Sequence, residues 1–269
     1  MRLTTKIKSH HHELNASAFE IFGRDESSLQ ITDVRADEFL VSVKPIEGEL
    51  DAIFFTRANE IVSYYLVAIN AATLGHFSWD FKFESPVLYS RSRGAGMGSD
   101  QVSFQAPSKY KFNEEKLPIT PALIWRSLKI MIALGEEKNS PLVGEYIKGL
   151  YNLHQTFLNL NFVNEAFANF YKALEYFCTT YYLKKKSLDN EKKVIKAVLR
   201  DFGFEEEIVD TFDPIYVARC NEIMHAQRGL KAVDIDHVIK LKIFLDSLLH
   251  KHYEPIFKSG GAESTVANG

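Results

Sequence analysis

The chain lacks what several large function classes require. It has two cysteines in 269 residues, Cys178 and Cys220, which argues against a disulfide framework. Both lie in apolar helical patterns, where a thiol packs as a small hydrophobe. No apolar run approaches the ~18–20 residues of a membrane-spanning helix. The N-terminal MRLTTKIKSHHHELN has no apolar stretch of the secretory kind, so a cytoplasmic protein with no membrane contact is expected. Basic and acidic residues nearly cancel, 32 against 35, and the net charge of −3 argues against a protein that coats nucleic acid without sequence preference. G-x-S-x-G, H-E-x-x-H, C-x-x-C and Walker patterns are all missing. No cofactor and no metal are expected. His10–His12 form a triplet, but adjacent positions cannot all face one ion in a regular element, and the triplet reads as a solvated polar segment.

The residues that are present divide the chain in two. Residues 1–115 read as a small α+β module that serves as a sensor or recruits a partner. LQITDVRADEFLVSVKP and ELDAIFFT are short β-branched and aromatic runs, read as strand-like. TRANEIVSYYLVAINAATLG has helical spacing, with Gly75 at the expected C-terminal cap. Phe77, Trp79, Phe81 and Phe83 alternate as on one side of a strand. The Gly-rich segment around residues 91–100 fits no nucleotide-binding fingerprint and reads as a loop.

From residue 116 to 258 the pattern is helical throughout. Thr120 is placed as the N-cap of a first helix that starts with Pro121. Residues 162–181 carry a ladder of Phe162, Ala166, Phe170, Leu174, Phe177 and Tyr181 on a long helix. Gly203 ends the next helix, and further helices meet near Pro214. A final helix runs from Asp234 and is expected to stop at Pro255. Lys184 to Arg200 holds seven basic residues and reads as a solvated face. Residues 259–269 are too polar to pack and read as a disordered tail.

The informative stretch is Pro214-Ile-Tyr-Val-Ala-Arg219-Cys-Asn-Glu-Ile-Met-His225. An Arg followed by a His at this spacing occurs about once by chance in a chain of this composition, so its context must carry any meaning. Tyr216 lies three before the Arg, and Ile223 and Met224 precede the His. A Gln227-Arg228-Gly229 turn and a long amphipathic helix follow, while FYKALEYF lies upstream. With that context the region resembles the HEPN superfamily over roughly residues 160–257. The resemblance implies an all-α HEPN-like bundle behind the α+β module. It also implies metal-independent RNA cleavage, in which a ribose 2′-OH attacks the adjacent phosphate.

In that chemistry His225 acts as general acid or base, and Arg219 faces the developing phosphorane charge. Asn221 and Glu222 are positioning candidates; Lys192, Lys193 and Lys196 are candidate RNA contacts. Many active members carry Asn, Asp or His directly after the Arg, a place held here by Cys220. On an ideal helix Arg219 and His225 point ~120° apart, and the family's solution is a two-fold homodimer with a composite site. Two readings therefore stand: an endoribonuclease of toxin or defence type, or a non-catalytic dimeric protein binding a nucleotide or a partner. A purely structural use of the pair is the third possibility, with Arg219 on Glu222 or a neighbouring helix and His225 capping a turn.

Overall fold

A computed structural model describes residues 3–22, 29–79, 89–91, 100–102, 116–137, 140–157, 162–184, 190–223 and 233–258. The N-terminal part contains β1 (Leu3–Ser9), β2 (His12–Glu13), a 3-10 helix (Ala16–Phe22), β3 (Leu29–Thr32), β4 (Glu38–Val43), α1 (Asp51–Thr73) and β5 (Phe77–Trp79). β3, β4, β1 and β5 form one antiparallel sheet in that order, with Leu3 opposite Val43 and Lys8 opposite Glu38. Alternate residues of a strand share a face, so Phe39, Val41 and Val43 all project from one side of β4, where each is fully buried. That side meets α1: the Phe39 and Tyr65 rings pack edge-on at 6.3 Å.

α1 has no solvent face over its second half. Every residue from Tyr65 to Ala72 is buried, as expected of a helix that is apolar all round and sits at the centre of a fold. The one amide side chain there, that of Asn70, is fully used. The amide Nδ2 donates to Leu66 O at 2.8 Å and Phe77 O at 3.0 Å, and Oδ1 accepts from Phe77 N at 2.9 Å. Helix and sheet are thereby stitched together without a buried unpaired amide.

β6 (Tyr89–Arg91) and β7 (Asp100–Val102) pair antiparallel, and β8 (Leu117–Pro118) pairs parallel with β2. Seven further helices among the described residues follow: α2 (Pro121–Glu136), α3 (Ser140–Phe157), α4 (Val163–Phe177), α5 (Glu191–Asp201), α6 (Glu206–Asp210), α7 (Phe212–Ala218) and α8 (Ile235–Lys258). α4 runs into a π turn at Cys178–Leu183, and α7 into a second at Arg219–Ile223. α1 packs on α2, α3 and α8 as well as on the sheet, so one apolar core extends across residues 115 and 116.

Several local expectations hold. Thr120 caps α2 through Leu123 N, and Gly203 ends the α5 turn with φ +73°. Others are corrected. Residues 51–56 of the strand-like ELDAIFFT run are the first turns of α1, because Phe54, Ala58 and Val62 repeat at four-residue spacing and face the core. The left-handed C-terminal position of α1 is Leu74, with φ 51°, and not Gly75. Gly75 serves a different need: a Cβ there would lie 2.7 Å from the His12 ring. α8 continues through Pro255, whose missing N–H leaves the Lys251 carbonyl without its helical donor. Phe81, Phe83, the Gly-rich segment at 92–99 and the 259–269 tail lie outside the described residues.

One buried ionic network ties the two parts together. Lys242 on α8 donates to Gly75 O at 2.8 Å and to Asp246 Oδ2 at 2.6 Å; the Tyr146 hydroxyl on α3 donates to Asp246 Oδ1 at 2.6 Å. Lys242 and Asp246 side chains are 4% and 1% exposed, so neither charge is supported by water. Lys242→Met is therefore expected to cost about 3–5 kcal/mol in urea unfolding by leaving Asp246 buried and unpaired. Lys242→Met with Asp246→Leu should recover most of that loss, and a double variant as unstable as the single one would contradict this account.

Candidate functional site

Arg219 begins the π turn into which α7 continues. Its Nη2 lies 3.1 Å from Glu175 Oε1 on α4 and 2.9 Å from Glu191 Oε2 at the start of α5. Glu191 occupies the first turn of its helix, where a carboxylate is favoured by the helix dipole. The guanidinium carbon sits 5.2 Å over the Tyr171 ring. Tyr171 and Glu175 are four residues apart on α4 and so share a face. The Tyr171 ring is itself fixed by stacking on Phe167 and Phe212, at 5.8 and 6.3 Å.

The site is half-enclosed: the Arg219, Glu175 and Glu191 side chains are 21%, 31% and 12% exposed. Burial and the adjacent Glu191 push the Glu175 carboxyl up to about 7, against the pull of Arg219. Burial works against the Arg219 charge, but Glu191, Tyr171 and Glu175 outweigh it and hold the guanidinium above its ordinary value. Burial, with Glu175 and Glu191 behind it, pushes the Cys178 thiol up to about 12, so it stays protonated and unreactive. Two carboxylates thus share one guanidinium, and the cluster carries a net negative charge when both are ionised.

The sequence candidates separate on this frame. Arg219 is at the centre, paired with neighbouring helices, one arrangement that the sequence left open. Asn221 is exposed on the π turn. Glu222 lies on the same turn by its backbone. His225 lies outside the described residues, as does the Gln227-Arg228-Gly229 turn. A π turn winds more widely than an α turn, so the angle between Arg219 and later residues is not the ideal-helix value. Lys192 and Lys196 point to α6 and α7: Lys192 Nζ is 3.1 Å from Asp213, and Lys196 Nζ is 2.7 Å from Asp210 and 3.2 Å from Asp213. Arg200 similarly pairs with Glu206. The described part of the basic segment is thus largely matched by acids and is not a purely solvated face. Lys193 is exposed.

Sequence reasoning missed Tyr171, Glu175 and Glu191 as site residues. A signal existed for the first two: Tyr171 and Glu175 lie four apart on α4, so a polar pair borders its apolar stripe. Glu191 becomes visible only once α5 is folded against α7 and the π turn that follows α4.

A second polar cluster lies at the junction of sheet and bundle. The His10 ring is 4.9 Å from His76 and 6.5 Å from His154, and His10 Nε2 is 2.9 Å from Ser78 Oγ. His12 is buried and stacks on Phe77 at 5.7 Å. The histidine triplet is therefore not a solvated segment; its backbone pairs with β8 and its rings fill the seam. Among the described residues no group of three His, Cys, Asp or Glu is arranged to hold a metal ion, and no helix is long and apolar enough to cross a membrane.

Burial, then the neighbouring His154, Lys8, Lys116 and His11, hold the His10 imidazole down at about 3; burial and His10 hold His76 well below its ordinary 6.5. Both rings are neutral in the fold, while unfolded histidine takes up a proton below about 6.5. Stability is therefore full above pH 6.5 and falls as pH drops from 6.5 toward 3, by up to about 1.4 kcal/mol per pH unit per histidine. Urea midpoints at pH 7.5 and 5.0 should show a smaller acid loss for His10→Asn than for the wild type. Equal losses would count against this assignment.

Comparison with known proteins returns no match: no family model, no curated protein and no solved structure aligns with the chain.

Proposed function

We propose that the face formed by α4, α5 and the π turn after α7 binds the phosphodiester of an RNA, and that Arg219 with His225 cleaves it without metal, as in HEPN-type endoribonucleases. The observation that supports this reading is the setting of Arg219. A permanently charged, forked side chain begins a π turn, a geometry found often at functional sites. It is aimed by two carboxylates and an aromatic ring. Both carboxylates meet the same nitrogen, Nη2, so the rest of the fork is oriented without being consumed by them. A preset guanidinium of this kind stabilises charge that develops on phosphate oxygens without reorganising. His225 supplies the proton transfers in this scheme, and two copies of the chain complete the cleft.

A second reading has its own support. The two carboxylates on Arg219 and the acids on Lys192 and Lys196 reduce the positive field that a polyanion meets. This favours a dimeric protein that binds a nucleotide or a partner without cutting.

Purified protein incubated with a panel of RNAs in EDTA distinguishes the two. The first reading expects cleavage leaving 2′,3′-cyclic phosphate ends, reduced at least about 100-fold in Arg219→Ala and in His225→Ala. RNA or nucleotide binding without cleavage, across the whole panel, supports the second. Cleavage that survives both substitutions contradicts the assigned pair.

A further inference from the structure

We propose that Glu175 and Glu191 act as a proton-sharing carboxyl pair, so that the Arg219 site takes up a phosphodiester together with one proton. The proposal rests on the reading of Arg219 as a phosphate contact and adds a coupling which that reading does not require.

The geometry sets the charge problem. Glu175 Oε1 and Glu191 Oε2 both lie within 3.1 Å of Arg219 Nη2, so the two carboxyl groups come from different helices to one point. One guanidinium neutralises one of them. The groups that face Glu175 are Glu191 from α5, Arg219 from the second π turn, and, from its own helix and the turn after it, Tyr171 and Cys178. Next to Arg219 stand Cys220 and Tyr216, and Lys192 lies 5.9 Å over the Tyr216 ring while pairing with Asp213. Within this set Arg219 is the cation placed between the two carboxylates. A phosphodiester reaching Arg219 brings a further negative charge next to both, in surroundings too enclosed for full screening.

One proton on the pair relieves this repulsion and keeps the local charge unchanged. The carboxyl group that receives it already resists ionisation: Glu175 is pushed up to about 7 by burial and by Glu191. Proton uptake then lies in the neutral range, where a small change of pH changes the affinity. No bond is made or broken in this step; a proton from solvent is held between Glu175 and Glu191 while the anion is bound.

The probe is a 2′-O-methyl RNA octamer, which cannot be cut through a 2′-OH and whose phosphodiesters do not titrate near neutrality. Its affinity for the full chain is measured by fluorescence anisotropy from pH 6 to 8.5. For one coupled proton the wild type should weaken by up to about tenfold per pH unit above pH 7 and level off below it. Glu175→Gln, which keeps the shape and carries no charge, should lose that dependence and bind at least about tenfold tighter than wild type at pH 8.5. Glu191→Gln should behave in the same way, since either neutral partner relieves the repulsion.

The coupling is overturned if either Gln variant keeps the wild-type pH slope, or if wild type and both variants fail to bind. The two ideas fail separately. Proton-coupled binding without cleavage of unmodified RNA removes the nuclease reading and leaves the coupling. Cleavage that depends on Arg219 and His225, with octamer affinity unaffected by Glu175→Gln, removes the coupling alone.

Discussion

A stretch of helix without a solvent face has to be the middle of something, and the second half of α1 sets the terms for the rest of this fold. That half is buried on every side. The sheet takes one side through Phe39, Val41 and Val43, and α2, α3 and α8 take the others. Burying a wholly apolar cylinder is favoured by roughly 25 cal/mol per Å² of apolar surface removed from water. The polar groups that α1 drags inside must then be satisfied. Asn70 closes on β5, and the carbonyl of Gly75 receives the buried Lys242. Sheet and bundle are for this reason parts of one packed body, joined by an ionic network and a seam of neutral histidines.

The candidate site lies elsewhere on the bundle, and its character follows from a different constraint. Two helices and one π turn bring two carboxylates and one guanidinium together in a half-enclosed place. Such a cluster is a poor device for stability alone, because burying an excess negative charge costs free energy that apolar packing would not. It is a good device for holding an arginine in one orientation and for making its surroundings responsive to a proton. Lys192 and Lys196 on α5 are held by acids of α6 and α7, which reduces the positive field at this surface. That distinguishes this surface from a broadly basic nucleic-acid face.

Much of the architecture was legible from periodicity. The helical run from Pro121, the Thr120 cap, the Gly203 stop and the amphipathic last helix all follow from side-chain spacing and terminal chemistry. β1 and the 3-10 helix at Ala16–Phe22 were not singled out, because β1 has only two apolar residues and the seven-residue 3-10 helix is too short to show a helical period. Residues 51–56 misled because Ile53, Phe54 and Phe55 are β-formers placed in the first turns of a long helix, where tertiary packing overrides propensity. The histidines were misread for a related reason: polarity suggests solvent, but neutral imidazoles pack well in a seam between aromatic rings. Arg219 was found by motif, whereas its partners were not. Glu191 is distant in sequence and carries no local mark, and only the packing of α5 against α7 and the π turn after α4 brings it to the site.

The central claim is that Arg219 itself contacts phosphate, and its guanidinium resonance reports this directly. With arginine labelled with ¹⁵N, the Arg219 Nε–H signal, assigned by its loss in Arg219→Lys, is followed while the 2′-O-methyl RNA octamer is added at pH 6.5. The account predicts a saturable shift of this signal, larger than that of Arg200, which is engaged with Glu206. An Arg219 signal that stays in place while the octamer binds would contradict it.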